Sequence, residues 1–365
     1  MALLGQSLAM TSPSSDPPFS PYEKIAESLA AALGDDEAAH RAASRAEWIV
    51  TEKIHGANFC FVTDGDEVRC AKRKTLLADD EDFFGHRALQ TRLAPAVRDV
   101  LTRAKARDPN ASRVFVYGEL FGGGYPHPDV SPVPGVEPVQ TGCWYAPGIE
   151  FCAFDVGFVR AGESERVYLD QDEAREACET AGLLFARPLF RGRYEDAFAF
   201  PIGFETTIPA RLGLPSLGPT NKAEGVVLKP ARALVIPRRA GVLRPVVKRK
   251  IPEFAEDERF HEAEKWGASG SPRAPSASPL EWLLHEASSL VNENRLNAAV
   301  SKVGPTRPGD TARLREVLSL VREDLDAELA ARHGEVLRGL SPAESRALAA
   351  HIDGEARALV ELYLG

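Results

Sequence analysis

The sequence predicts an α+β protein: one domain of antiparallel sheets with flanking helices, then a small all-α domain. Three observations carry this. Strand-length and helix-length apolar patterns mix without regular alternation up to about residue 266. The stretch GASGSPRAPSASP then interrupts them with linker composition. Beyond it the apolar residues recur with helical period only. The expected organisation is a disordered leader at 1–18, a mixed domain at 19–266, a linker at 267–278 and a helical accessory domain at 279–365.

Each element has a local reason. The first 18 residues are rich in Ser and Pro and have no period, hence the leader. Ile25, Leu29 and Leu33 stand at helical spacing ahead of Gly34, which predicts a helix over Tyr22–Leu33. Phe59 and Phe61 alternate with Asn58, Cys60 and Val62; Thr63–Asp66 then supplies turn chemistry before Val68–Ala71, so a hairpin is expected. Arg87–Ala106 and Asp170–Ala181 read as helices, the second stopped by Gly182. Val114–Gly118, Phe151–Val156, Gly225–Lys229 and Leu243–Arg249 read as strands. Past the linker, Pro279–Asn292 follows a Ser278 cap, Gly304–Gly309 is a break, and Thr311–Arg332 and Pro342–Leu362 carry apolar stripes.

Composition narrows the function classes. Of 365 residues, 53 are acidic and 44 basic, for a net charge of −9, with 27% charged and 44% hydrophobic side chains. This is a globular balance that excludes global disorder and a whole-surface basic polymer binder, so any nucleic-acid contact must come from a local patch. Five cysteines, an odd set without a Cys-x-x-Cys pair, argue against a disulfide framework or a zinc knuckle and fit a reducing compartment. No apolar run approaches the roughly 18 residues that span a bilayer, and Met1–Met10 lacks the basic flank of a signal peptide. A soluble cytoplasmic protein without a membrane partner is expected.

Four short motifs carry chemistry. Lys53 lies in a turn before the hairpin, with Gly56 beside it to admit a ligand; a lysine amine is a covalent nucleophile when its ammonium is destabilised. Taken alone, Lys-x-x-Gly is most often an exposed loop lysine. Glu119 leaves the end of a strand and is followed by Gly122–Gly124, a flexible loop without the Gly-Lys-Ser/Thr of a P-loop. Glu224 is an acid at the mouth of an apolar strand. Strand alternation puts Lys248 and Lys250 on one face and Arg249 on the other, and two adjacent ammoniums suggest an anion between them. Arg238, Arg239 and Arg244 extend this cluster to six basic residues between 238 and 250.

In this order the motifs resemble the covalent nucleotidyltransferase superfamily of polynucleotide ligases and mRNA capping enzymes. Within it the likeness is to the bacteriophage RNA ligase 2 family, which includes the trypanosome RNA-editing ligases. EKIHGANF, CAKRK with EDFFG, GELFGGGYP, FCAFDV, EGVVLKP and VVKRK follow the family's order between Phe19 and Phe254. VNENRLNAAVSKVG (Val291–Gly304) is similar to a segment of its C-terminal accessory domain.

The resemblance implies a nucleotidyltransferase (adenylation) domain of the ATP-grasp-like ligase type and an ATP-dependent RNA ligase. Such an enzyme joins RNA 3′-hydroxyl and 5′-phosphate ends through a lysyl-AMP and an adenylylated RNA end. ATP and Mg²⁺, or Mn²⁺ in its place, are the implied cofactors, and a monomer is expected. Lys53 would become the lysyl-AMP; Lys248 and Lys250 would neutralise phosphate and favour its uncharged amine by like-charge pressure. Glu119 would meet the ribose hydroxyls, Glu224 a metal ion, Phe154 the adenine face and Glu52 the adenine edge. Asn58 and Arg73 would engage RNA or AMP phosphate, and His55 would position phosphate or metal. Tyr125, Pro126 and His127 are further candidates for substrate contact, whereas Asp79–Asp82 reads as a solvated loop. The alternatives are a catalytically inactive nucleic-acid-binding module, or a nucleotidyltransferase acting on another acceptor. DNA ligases and GTP-using capping enzymes place Asp where His55 stands and append an OB-fold, of which the tail has no strand series. The insert Pro128–Gly148 has no clear family counterpart.

Overall fold

The computed structural model describes residues 19–238, 241–254, 279–307 and 309–364. The expected leader and linker, and Arg239 of the basic cluster, lie outside the described residues. An extended run from Phe19 leads to α1 (Leu29–Leu33) and α2 (Glu37–Arg45), whose amides are capped by the Ser28 and Asp36 side chains. Only the last turn of the helix expected over Tyr22–Leu33 forms. Ala26 instead bridges Val247 in parallel, because a sheet rung and the burial of Tyr22 outweigh the helical spacing of three apolar residues.

Next come β1 (Trp48–Lys53), the hairpin β2 (Ala57–Thr63) and β3 (Val68–Lys72), α3 (His86–Arg107), and two long strands, β4 (Ala111–Gly124) and β5 (Ala146–Arg160). β6 (Arg166–Tyr168) precedes α4 (Gln171–Thr180), which starts from a capping box of Asp170 and Glu173. β7 (Leu184–Phe185), β8 (Pro188–Gly192), α5 (Tyr194–Phe198) and α6 (Ile208–Arg211) follow. The domain closes with β9 (Gly225–Pro230), β10 (Ile236–Arg238), β11 (Gly241–Leu243) and β12 (Val247–Lys250). The single strand expected over Leu243–Arg249 is therefore two pieces, broken at Pro245, which has no N–H to give a ladder.

The strands form two largely antiparallel sheets, β12-β9-β1-β8 and β3-β2-β4-β5-β6, with β7 added in parallel to β5 and β10-β11 as a separate ribbon. The β2–β5 sheet packs Phe59, Phe61, Leu120 and Phe151 against α3 and α4. The β1–β9–β12 sheet packs Trp48, Val50, Val226 and Leu228 against α1, α2 and α5. A third cluster of Ile54, Phe121, Tyr145, Cys152 and Ile208 joins the two sheets. All five cysteines are free and buried, as core thiols.

The tail is α7 (Pro279–Leu290), α8 (Glu293–Val303), α9 (Thr311–Arg338) and α10 (Pro342–Leu364) around a separate core of Leu283, Leu296, Val317, Leu325 and Ile352. Asn292 is the cap of α8 and not the end of α7. Helix α9 bends at His333 and runs on past the expected end at Arg332. Arg313 donates to the Asp82 carbonyl (2.8 Å) and Gln140 to the Asn297 carbonyl (3.1 Å), tying this bundle to the sheet domain. Among the described residues no helix is long and apolar enough to cross a membrane.

Candidate active site

Three strands bring the first cluster together. Both Lys53 of β1 and Lys250 of β12 pair with Gly225 of β9, so two lysines flank the residue that follows Glu224. Gly225 sits at φ +149°, and a Cβ there would come within 2.0 Å of the Arg249 carbonyl oxygen; only glycine allows this crossing. Lys53 Nζ donates to Glu224 Oε2 at 2.6 Å, His55 Nδ1 lies 3.4 Å from the same oxygen, and Lys250 Nζ is 3.2 Å from Oε1. Glu224 is buried while its three partners stay partly open to solvent. Burial pushes its carboxyl up, but Lys53, Lys250 and His55 together hold it well below the usual carboxylate range.

Lys53 is the last residue of β1, and His55 lies in the turn that follows. At Gly56 a Cβ would meet the Leu120 carbonyl oxygen at 2.1 Å, so this turn lies directly on β4. The His55 N–H donates to the Tyr145 hydroxyl at 2.8 Å, and its ring meets Phe254 edge-on at 4.8 Å. Asn58 stands opposite Glu119 in the β2–β4 ladder. Glu119 is inside β4 and not at its end, and the glycines expected to form a flexible loop are rungs: Gly122 pairs with Ile149 and Gly124 with Ala146. Burial pushes the Glu119 carboxyl up to about 8, against the pull of Lys53, Arg73 and Lys250 and with the push of Glu224. Glu119 and half-buried Arg73 therefore share the electrostatic neighbourhood of the lysine pair.

Lys248 is turned elsewhere. Its Nζ lies 3.6 Å from Glu27 in the extended N-terminal run. Arg249 faces the opposite side, as alternation requires, and donates to the Phe198 and Phe200 carbonyls. The four members of the expected basic patch whose side chains are described, Arg244, Lys248, Arg249 and Lys250, do not gather as a unit. Arg244 is buried over the Tyr168 ring, donates to Asp155 at 3.0 Å and lies 3.5 Å from Glu23. An unpaired buried cation would be too costly, so it is consumed by acids.

Phe154 is the extra residue of a bulge, since Tyr117 pairs with Asp155 and Gly118 with Ala153. Its half-buried ring meets the edge of Tyr22 at 5.0 Å, and Lys229 Nζ lies 5.7 Å from its centroid while donating to its carbonyl. Lys229 and Asp155 form a fully buried pair at 3.4 Å, and Asp155 also accepts from the Tyr22 hydroxyl and Gln171, each at 2.6 Å. The sequence marks both charges only as interruptions of the apolar runs in FCAFDV and EGVVLKP.

Glu52 points away from Lys53, as the next residue on a strand must. Its buried carboxylate accepts from the Thr206 hydroxyl, the Thr207 N–H (2.8 Å) and the Thr207 hydroxyl (2.6 Å). Burial pushes its carboxyl up, opposed by these bonds and by Arg211. No sequence pattern points to the two threonines. Glu81 of the acidic loop pairs with Lys72 at 2.9 Å, and buried Tyr125 donates to the Pro215 carbonyl. Burial pushes the Cys70 and Cys143 thiols up to about 12, which leaves no thiolate to react.

Among the described residues no group of three or more His, Cys, Asp or Glu could hold a metal ion. A cation here would depend on one protein carboxylate, Glu224, with phosphate and water oxygens; that donor set suits a hard divalent ion. Two lysines and a histidine on one buried carboxylate, with a second acid nearby, can accept a phosphate chain and present an amine to it.

The sequence model of the family described as RNA ligase matches residues 46–250. The mitochondrial RNA-editing ligase 2 of Trypanosoma brucei brucei is 36% identical over 206 residues, covering 51% of this chain and 49% of that protein. The mitochondrial RNA-editing ligase 1 of the same organism is 30% identical over 370 residues, covering 87% and 76%. The chain thus spans about half the length of the first relative and three quarters of the second. Among solved structures, a mutant Naegleria gruberi RNA ligase with ATP and Mn has a TM-score of 0.40 at 14% identity, over 66% of this chain and 59% of that one. An archaeal ATP-dependent RNA ligase has a TM-score of 0.37 at 17% identity, over 93% and 65%.

Proposed function

The chain belongs to the RNA ligase family, and from that premise we propose that it is an ATP-dependent RNA ligase working through a lysyl-AMP on Lys53. The observation that carries the reading is the shared carboxylate: Lys53, Lys250 and His55 all converge on Glu224. In the arrangement described Lys53 Nζ donates to Glu224. For the first step Lys53 releases a proton to solvent water and its amine attacks the α-phosphorus of ATP; the N–P bond forms as the bond to pyrophosphate breaks. In the second, an oxygen of the RNA 5′-phosphate attacks the adenylyl phosphorus, the N–P bond breaks, and Lys53 leaves as its nitrogen takes up a proton from water. In the third, an RNA 3′-hydroxyl loses its proton to water as its oxygen attacks the activated end, and AMP departs with the bonding electrons. Each is a displacement at phosphorus, so positioning and charge stabilisation supply the catalysis.

The residues divide the work by chemistry. Lys250, and Lys248 once drawn from Glu27, neutralise phosphate oxygens. Glu119 meets the ribose hydroxyls, Phe154 stacks on adenine, and Asn58 and Arg73 hold AMP or RNA phosphate. Glu52 is bonded only to donors, so its Oε1 has an acceptor position left for an amino group such as that of adenine. His55 steadies Glu224. A divalent cation, Mg²⁺ or Mn²⁺, supplies charge neutralisation on the phosphates when bound, and Glu224 is the residue that would hold it.

The test is direct. Incubation with radiolabelled ATP or GTP and Mg²⁺, followed by denaturation, is expected to leave ATP-derived label on the protein. The label should vanish in Lys53→Ala and also in Lys53→Arg, whose guanidinium stays protonated. The wild type should then join nicked RNA. An unlabelled wild type, or GTP-derived label, overturns the reading.

A further inference from the structure

We propose that the segment Gly142–Tyr145 is a positioning bracket for the adenylation centre, with Tyr145 holding the nucleophile turn and Asn221 holding the approach to Glu224; this rests on the ligase reading above. The centre's two halves arrive on different strands; the turn at His55 lies between strands, and the run into Glu224 has only a short antiparallel bridge, Glu205 to Lys222, to hold it. The His55 N–H finds its acceptor in the Tyr145 hydroxyl at 2.8 Å. Tyr145 is itself 1% exposed and packed edge-on against Phe121 at 5.2 Å.

The residue before it is clamped from the other side. Asn221 Oδ1 accepts the Trp144 N–H at 2.9 Å while its Nδ2 donates to the Trp144 carbonyl at 2.8 Å. Asn221 is buried three positions before Glu224, and its own carbonyl accepts the N–H of Thr206, the residue whose hydroxyl donates to Glu52. Phe254, just past Lys250, completes the bracket. Its ring lies 3.5 Å from where a Cβ on Gly142 would be and packs against His55. One four-residue stretch thus fixes the approaches to Lys53, Glu224 and Lys250 together.

In-line displacement is sensitive to such supports, since a misplacement of about 1 Å costs on the order of 10²-fold in rate. Tyr145→Phe keeps the ring against Phe121 and removes only the acceptor for His55; Asn221→Ala removes the clamp. The measurement is the single-turnover rate of Lys53 adenylylation at saturating ATP, with the ATP dependence and the melting temperature of each variant. We expect the saturated rate to fall about tenfold or more, with half-saturating ATP changed by less than about twofold. The melting temperature of Tyr145→Phe should stay within about 4 °C of wild type. Wild-type rates in both variants overturn the bracket, as does a rate lost only in proportion to unfolded protein. If Asn221→Ala does not fold, Tyr145→Phe alone decides. Failure of the ligase reading is distinguishable, because the wild type would then take no label at all.

Discussion

Glu224 and Glu119 feel one another's charge, and their carboxyls are shifted in opposite directions. Glu224 is held below the carboxylate range by Lys53, Lys250 and His55 beside it, whereas burial pushes Glu119 from 4.5 up to about 8. For Glu119 the folded chain keeps a proton that the unfolded chain has released, so between those two values stability falls as pH rises. Glu224 does the reverse: its contribution is present above the ordinary value and is lost as pH falls through its lower folded one. Glu119→Gln carries no titrating proton. Chemical unfolding at pH 5 and pH 9 should therefore show the variant gaining about 1–3 kcal/mol over wild type at the higher pH, after allowance for partial exposure. A difference between the two proteins that does not change with pH would refute the assignment. Lys53, Glu224 and Lys250 were legible because a reactive amine, a strand-mouth acid and alternating lysines each leave a sign in the sequence. Tyr145, Asn221, Thr206 and Thr207 were not: a hydroxyl or amide serving one group across the fold has no period and no fixed spacing.

Strands and turns follow the same division. The hairpin β2–β3 and helix α4 were legible because turn chemistry and the stop at Gly182 are local. The run Tyr22–Glu27 was not, because the partner that makes it extended, β12, lies at the far end of the domain's sequence. The glycines of β4 misled for a related reason: three in a row signal a loop locally, yet here they admit the close approach of neighbouring chain. At Gly123 a Cβ would stand 2.3 Å from the Glu137 carbonyl oxygen. Glycine at 225 sets the crossing of β1, β9 and β12. Gly225→Ala should destabilise the protein by at least about 2 kcal/mol, through the positive φ and the clash with Arg249. Gly203→Ala, where a Cβ meets nothing within 4 Å and φ is ordinary, should stay within about 0.5 kcal/mol. Equal melting temperatures for the two variants would remove the argument that this crossing is built on a missing side chain.

Over the whole molecule the two cores are separate: the cluster behind the β2–β5 sheet and the one inside the helical bundle share no residue. Polar contacts join them, including Arg313 to Asp82, Gln140 to Asn297, and the wide pairs Lys72–Glu316 (3.9 Å) and Lys74–Glu323 (4.0 Å). Ending the chain after Gly270 should accordingly leave self-labelling with ATP within about threefold of wild type while sealing of nicked RNA drops at least about tenfold, the worth of ~1.4 kcal/mol of lost binding. Undiminished sealing by the shortened chain would deny the helices a part in holding substrate. The Pro/Ser stretch and the change to pure helical period made this division legible, but not the contacts, which pair residues far apart in sequence without a period or fixed spacing. Inside the sheet domain the order of assembly is constrained too. Ala26 exchanges backbone bonds with Val246 and Lys248, so the earliest described stretch must wait during synthesis for β12 to leave the ribosome. Until then no nascent chain can carry a finished centre, and a stalled or shortened translation product ending before Lys250 would emerge as a harmless one.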